Sequence, residues 1–255
     1  MTSGGCAAVA SFGSAMTTTQ APPRKRPLPW FLEFYGSNVG RKWVMAVSGI
    51  VGLGFIFFHM FGNLHLYEEP ARFNEYAEGL RDVGEPIFSR TLILWLARFG
   101  LLAAFAVHVH AGFTLWWKNR KAKPVGYQRQ QWIEATFASR YMLITGVIVL
   151  VFIVYHLAHL TWGISWLNPD FVRGDARSNL ILGLESPITA AWYIAANLAL
   201  GLHILHGAWS LFQSLGITNP RFNKWRRNFA VGLTAVIVLG NVSIPLAITT
   251  GLVGS

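Results

Sequence analysis

The sequence predicts an all-α integral membrane protein, a bundle of five transmembrane helices. Three observations predict it. Of 255 residues, 53% are hydrophobic and only 13% are charged, whereas a soluble domain carries about 25% charged residues. Five apolar runs exceed the roughly 18 residues that mark a spanning helix. The loops between these runs alternate in charge.

The spans read as residues 43–64, 91–117, 141–163, 187–215 and 229–253. At 1.5 Å per residue each can cross a hydrocarbon core of about 30 Å. One charge, Arg98, interrupts the second span. Residues 1–23 are rich in Ala, Ser, Thr and Gly and contain no apolar stretch of signal-peptide length; Met16 offers a second possible start. We therefore read residues 1–33 as a disordered or cytoplasmic tail and 34–255 as the membrane domain, with the first span directing insertion.

Charge sets the expected orientation. The tail through Lys42, the loop after the second span and the loop after the fourth together hold fifteen basic residues, among them Arg41, Lys42, Lys118, Arg140 and Arg226, against Glu33 and Glu134. The two opposite loops hold five basic residues against nine acids. The positive-inside rule places the N-terminus in the cytoplasm and the C-terminus outside. A slipped span would destroy this alternation, so it also supports the count of five. The net charge of +10 is thus a property of cytoplasmic loops. It does not point to nucleic acid, because the basic residues sit between apolar spans. The single cysteine, Cys6, excludes a disulfide within the chain, an iron–sulfur cluster held by its own cysteines, and C-x-x-C-H haem attachment.

All eight histidines lie within or at the end of the first four spans: His59 and His65, His108 and His110, His156 and His159, His203 and His206. Ionisable residues inside a membrane are costly and usually functional. Counted from the start of each span, His59 and His156 fall in the outer half and His108 and His203 in the inner half. Two opposed neutral imidazoles saturate a haem iron. The pattern therefore predicts two b-type haems, one between His59 and His156 and one between His108 and His203. Gly112 and Gly207 each follow an inner histidine by four residues, one turn along the same face, where a glycine leaves room for a flat macrocycle. The same spacing can be ordinary helix packing. His159 is the rival of His156, and His110 of His108. Arg98 is either a propionate partner or a side chain snorkelling to the interface. Arg41 and Arg140, at inner helix mouths, are candidates for propionate contact. Trp209 and Ser210 near the inner face, and His65, Glu85 and Arg98 near the outer, are candidates for a quinone site.

The stretches NVGRKWVMAVSGI, FFHMFGNLH, DVGEP, HVHAGFTLWWKNRKAKPVGY, EATFASRYM, VYHLAHLT, LALGLHILHGAWSLFQSLGITNPR and GNVSIPLA are similar to a known family. Over residues 34–252 the chain resembles the cytochrome b membrane-anchor subunit of succinate:quinone oxidoreductase (complex II), in its single-chain, five-helix, di-haem class. The resemblance implies the same four ligands and a role as a non-catalytic electron-transfer subunit, with menaquinone or another quinone as substrate. It implies two partners, a flavoprotein with covalent FAD and an iron–sulfur subunit with three clusters. Two family variations are not expected. Gly201 stands where some fumarate reductases carry a Glu proposed for proton transfer, and Cys6 alone cannot hold a Rieske-type cluster. Direction, succinate oxidation or fumarate reduction, is not set by these residues. The alternatives are the cytochrome b anchor of a hydrogenase or formate dehydrogenase and a haem-free proton-relay transporter.

Overall fold

The computed structural model describes residues 29–122 and 140–254. Cys6, Met16, the tail arginines, and Lys123, Arg129 and Glu134 lie outside the described residues. Within them the helices are α1 (Trp30–Gly36), α2 (Asn38–Asn63), α3 (Pro70–Asp82), α4 (Leu92–Lys121), α5 (Met142–His156), α6 (Ala176–Leu184), α7 (Pro187–Ser214) and α8 (Asn223–Thr249). A 3₁₀ turn, Leu64–Tyr67, extends α2, and a π-helical segment, Leu157–Thr161, extends α5.

Five of these helical segments are long and apolar enough to cross a membrane, as the sequence predicts. The chain is a multi-pass membrane protein by length and composition. Its outer surface agrees: Phe58, Phe61, Leu96, Phe99, Leu102, Val154 and Leu239 are all exposed. In water that surface would drive aggregation; in lipid it is the expected solvent-facing side, with every backbone polar group satisfied inside a helix. The fifth span begins earlier than hydropathy alone predicts. Its first turn, from Asn223, contains Lys224, Arg226 and Arg227, and helix geometry continues through the polar interface where hydropathy fades.

Local sequence places the helix starts. Ser37 separates α1 from α2 and caps α2, its hydroxyl accepting from the Gly40 amide at 2.8 Å. Gly40 is required there, because a Cβ would come 1.8 Å from the Phe34 carbonyl oxygen. Pro187 occupies the first position of α7, where a missing N–H costs nothing.

Packing neighbours run α4–α2–α7–α5, and α8 packs on α7 and α2 from outside. The diagonal pairs, α2 with α5 and α4 with α7, carry the paired histidines. None of the most apolar window of α4 is buried within the chain (0%), so α4 offers its surface to lipid, a cofactor or a partner. A buried core of Ile204, Ala208, Ala230 and Ile237 joins α7 to α8, with Leu53, Ile56 and Phe57 of α2 against it. At the end carrying the acidic loops, α3 and α6 form a lid. Phe73, Leu180, Ile181 and Leu184 pack with Leu66, Tyr193, Ile244 and Ile248. Asp175 locks that lid: it caps α6 through the Ser178 amide at 3.1 Å and accepts from Asn74 Nδ2 of α3 at 3.0 Å.

Candidate functional site

Four histidines meet in two pairs. The rings of His108 (α4) and His203 (α7) lie 6.4 Å apart between centroids. Those of His59 (α2) and His156 (α5) lie 5.8 Å apart. Two imidazoles ligating one metal ion in line, with metal–nitrogen bonds of about 2 Å and about 1 Å more to each ring centre, stand roughly 6 Å apart. Both pairs have that separation. Among the described residues no group of three or more His, Cys, Asp or Glu converges. Among the described residues each pair therefore offers two protein donors, His59 with His156 and His108 with His203.

The pair nearer the basic loops is the more fully defined. Ser48 Oγ donates to the Val44 carbonyl at 2.6 Å. A hydroxyl has one proton; with it given to the Val44 carbonyl, Ser48 Oγ accepts from the Nδ1–H tautomer of His108 at 3.1 Å. The Met45 carbonyl lies at 3.1 Å from the same nitrogen. On the opposite helix Thr145 Oγ1 donates to the Tyr141 carbonyl at 3.0 Å and faces His203 Nδ1 at 3.4 Å. Acceptors on Nδ1 place the proton there and leave both Nε2 lone pairs free. Glycines let the rings in: a Cβ at Gly49 would stand 3.4 Å from His108 Cε1, and one at Gly146 would stand 3.2 Å from His203 Cε1.

At the other level Tyr193 decides the arrangement. Its hydroxyl lies 3.3 Å from His156 Nδ1 and 2.9 Å from His159 Nδ1. With the proton of His156 on Nδ1, Tyr193 accepts from His156 and donates to His159. His159 then carries its proton on Nε2. That nitrogen is buried without a hydrogen-bond partner among the described residues, beside Gly183, where a Cβ would come 2.8 Å from it. His159 is 0% exposed and turned toward α6 and α7, while His156 faces His59. The π-helical segment starts at Leu157, between the two histidines; such segments recur at functional positions.

The two levels are separated by a fixed spacing. Ser48 touches the first pair and His59 belongs to the second, eleven residues along α2; Thr145 and His156 repeat that spacing along α5. At 1.5 Å per residue the levels stand about 16 Å apart. This repeat, Ser-Gly or Thr-Gly followed eleven residues on from the hydroxyl by His, is legible in the sequence and escapes a search for histidines alone.

The remaining histidines have other surroundings. His110 Nδ1 hydrogen-bonds the Tyr35 hydroxyl, and the two rings stack. His65 Nδ1 lies 2.9 Å from Glu68. Of the other candidates, Arg41 is half-buried on the same stripe of α2 as Met45 and Ser48. Its Nε and one Nη are buried without a hydrogen-bond partner among the described residues, and its guanidinium lies 5.7 Å from the Tyr35 ring centre. Arg140 is exposed just before α5. Arg98 is exposed, its guanidinium 4.8 Å from the Trp95 ring centre. A Cβ at Gly112 would meet nothing within 4 Å, and one at Gly207 only Met142 Cε at 3.9 Å. Ser210 donates to the Gly207 carbonyl at 3.1 Å. Trp209 lies under Arg226, 5.3 Å from its guanidinium. Glu85 is exposed in the loop before α4.

Sequence reasoning passed over Arg226, counting it as one loop charge. It is 1% exposed and donates to the Ile217 carbonyl and the Asn223 side chain, tying the loop after α7 to the start of α8. No family model, curated protein or solved structure matches the chain.

Proposed function

We propose that the chain is the di-haem cytochrome b membrane anchor of a succinate dehydrogenase or fumarate reductase, passing electrons between an iron–sulfur subunit and a quinone such as menaquinone. One observation carries this reading: two facing imidazole pairs, at two levels of one bundle, each at a separation that would let both imidazoles hold one iron. A b haem held by His59 and His156, or by His108 and His203, would supply a one-electron carrier.

The chain's own residues do the rest. His108 and His203 present bare Nε2 atoms because Ser48, Met45 and Thr145 take up the Nδ1 side. Arg41, with buried guanidinium donors left over, suits a carboxylate such as a propionate. The charge asymmetry favours a cell-membrane location with the N-terminus and basic loops in the cytoplasm, where a flavoprotein and an iron–sulfur subunit would dock. The assignment to complex II, as opposed to another cytochrome b anchor, rests on the sequence resemblance.

The test is a reduced-minus-oxidised spectrum and a pyridine haemochrome assay on the chain purified with its natural partners. Two haems b per chain, reduced on adding succinate, are expected. Two haems that ignore succinate would move the chain to another oxidoreductase. A preparation without a Soret band would overturn the haem reading and favour the proton-relay alternative.

A further inference from the structure

The two helix hairpins, α2–α4 and α5–α7, are built alike around the imidazole pair nearer the basic loops. One flanking helix presents Met45, Ser48 and Gly49, the other Met142, Thr145 and Gly146. In each, the hydroxyl returns its proton to its own helix, to the Val44 or the Tyr141 carbonyl. In each, the oxygen's free lone pairs face an imidazole Nδ1 brought by the other helix of the hairpin. In each, the neighbouring glycine is the point at which that ring touches the helix. Among the described residues the second pair has no such matched support. His156 shares one tyrosine hydroxyl with His159, and His59 stacks on Phe55, with ring centres 5.3 Å apart.

We propose that Ser48 and Thr145 are paired positioning residues that set the redox potential of the group held by His108 and His203, independently of the group held by His59 and His156. The inference rests on the haem reading above. Its physical basis is the hydrogen bond on the far side of a ligating imidazole. An oxygen that can only accept draws the Nδ1 proton toward itself, raises the basicity of Nε2 and locks the ring's tautomer and rotation. A more basic ligand stabilises ferric over ferrous iron. Removing the hydroxyls therefore favours the reduced form. The Met45 carbonyl still accepts from His108 in a Ser48 variant, and the Met142 backbone still accepts from His203 in a Thr145 variant, so only the double substitution weakens both Nδ1 sides and has the larger effect.

The experiment is potentiometric titration of the haems, with haem counted per chain, in the complex purified with its partners. The variants are Ser48→Ala, Thr145→Val and the double. Ser48→Thr and Thr145→Ser retain the hydroxyls. His203→Ala identifies which midpoint belongs to this pair, as the one it abolishes. In the double variant two haems per chain are expected, with the reduced-to-oxidised ratio of the identified haem raised at least threefold at fixed potential. That is about 28 mV at 59 mV per tenfold for one electron. The other midpoint stays in place, and the hydroxyl-retaining variants behave like the unsubstituted chain. Two haems with both midpoints unmoved in the double variant would overturn the proposal, as would equal movement of both. If the unsubstituted chain itself carries no haem, the functional reading fails first, and this distinguishes the two failures.

Discussion

His156 and His159 are three residues apart along the chain, and replacing each in turn separates the proposed haem ligand from its support. The His59–His156 centroid separation of 5.8 Å is already close to the roughly 6 Å that two in-line ligands require. For His159 to take the place of His156 it must give up its 2.9 Å hydrogen bond with Tyr193 and leave a fully enclosed site against α6. Abandoning a buried polar partner costs about 1–3 kcal/mol, before any cost of the space left behind. His156→Ala should therefore reduce two haems per chain to one. His159→Ala should keep both haems and leave the Tyr193 hydroxyl without its acceptor, lowering stability by about 1–3 kcal/mol. Pyridine haemochrome stoichiometry and thermal melting in detergent read the two effects separately. The reverse pattern, with a haem lost from His159→Ala and both kept in His156→Ala, would refute the reasoning about Tyr193.

Three more outcomes follow from particular contacts. Arg226→Met removes a buried guanidinium and its charge-assisted hydrogen bond to the Ile217 carbonyl and should destabilise by about 1.5–3 kcal/mol, seen as a lower melting temperature at unchanged haem content. Gly201→Ala puts a Cβ 2.5 Å from Val238 Cγ2, so α7 and α8 must part or Val238 must turn. Overpacking of this kind costs about 1–3 kcal/mol, and a variant as stable as the parent would show that the helices yield freely. The hydrogen bond from Asn74, together with those from Ser178, holds the Asp175 carboxyl below its ordinary value. A depressed folded-state pKa contributes stability above the unfolded value, about 3.9, that is lost as pH falls through the folded one. Protection of the Ser178 amide, its exchange rate relative to the intrinsic rate at the same pH, should fall below about pH 4, and Asp175→Asn should remove that pH dependence.

The spans and the levels of the histidines were legible because both are one-dimensional. Hydropathy accumulates along a single helix, and depth is residue count times rise. The missed features needed the packed chain. Arg226 looks like any loop cation until Ile217 and Asn223 close around it. Ser48 and Thr145 look like ordinary small polar residues of a membrane helix until His108 and His203 arrive from another helix. The fifth helix starts before its apolar run for a different reason: its first turn is helical but charged, so composition and backbone geometry part company at the interface.

By itself the sequence determined the helical class, the five spans, the alternation of charged loops and the two depths at which histidines occur, since each follows from local pattern. Only the tertiary structure decided which imidazoles face each other. Residues three apart, as His156 and His159 are, lie about 60° apart around a helix of 3.6 residues per turn, so periodicity cannot choose between them; Tyr193 on α7 does. His108 and His110 point to opposite sides of α4, but which side is inward depends on where α2 and α7 lie. The tautomer that leaves Nε2 bare is likewise a property of oxygens on neighbouring helices. Such contacts form between segments far apart in the chain, and their geometry exists only once the bundle has packed.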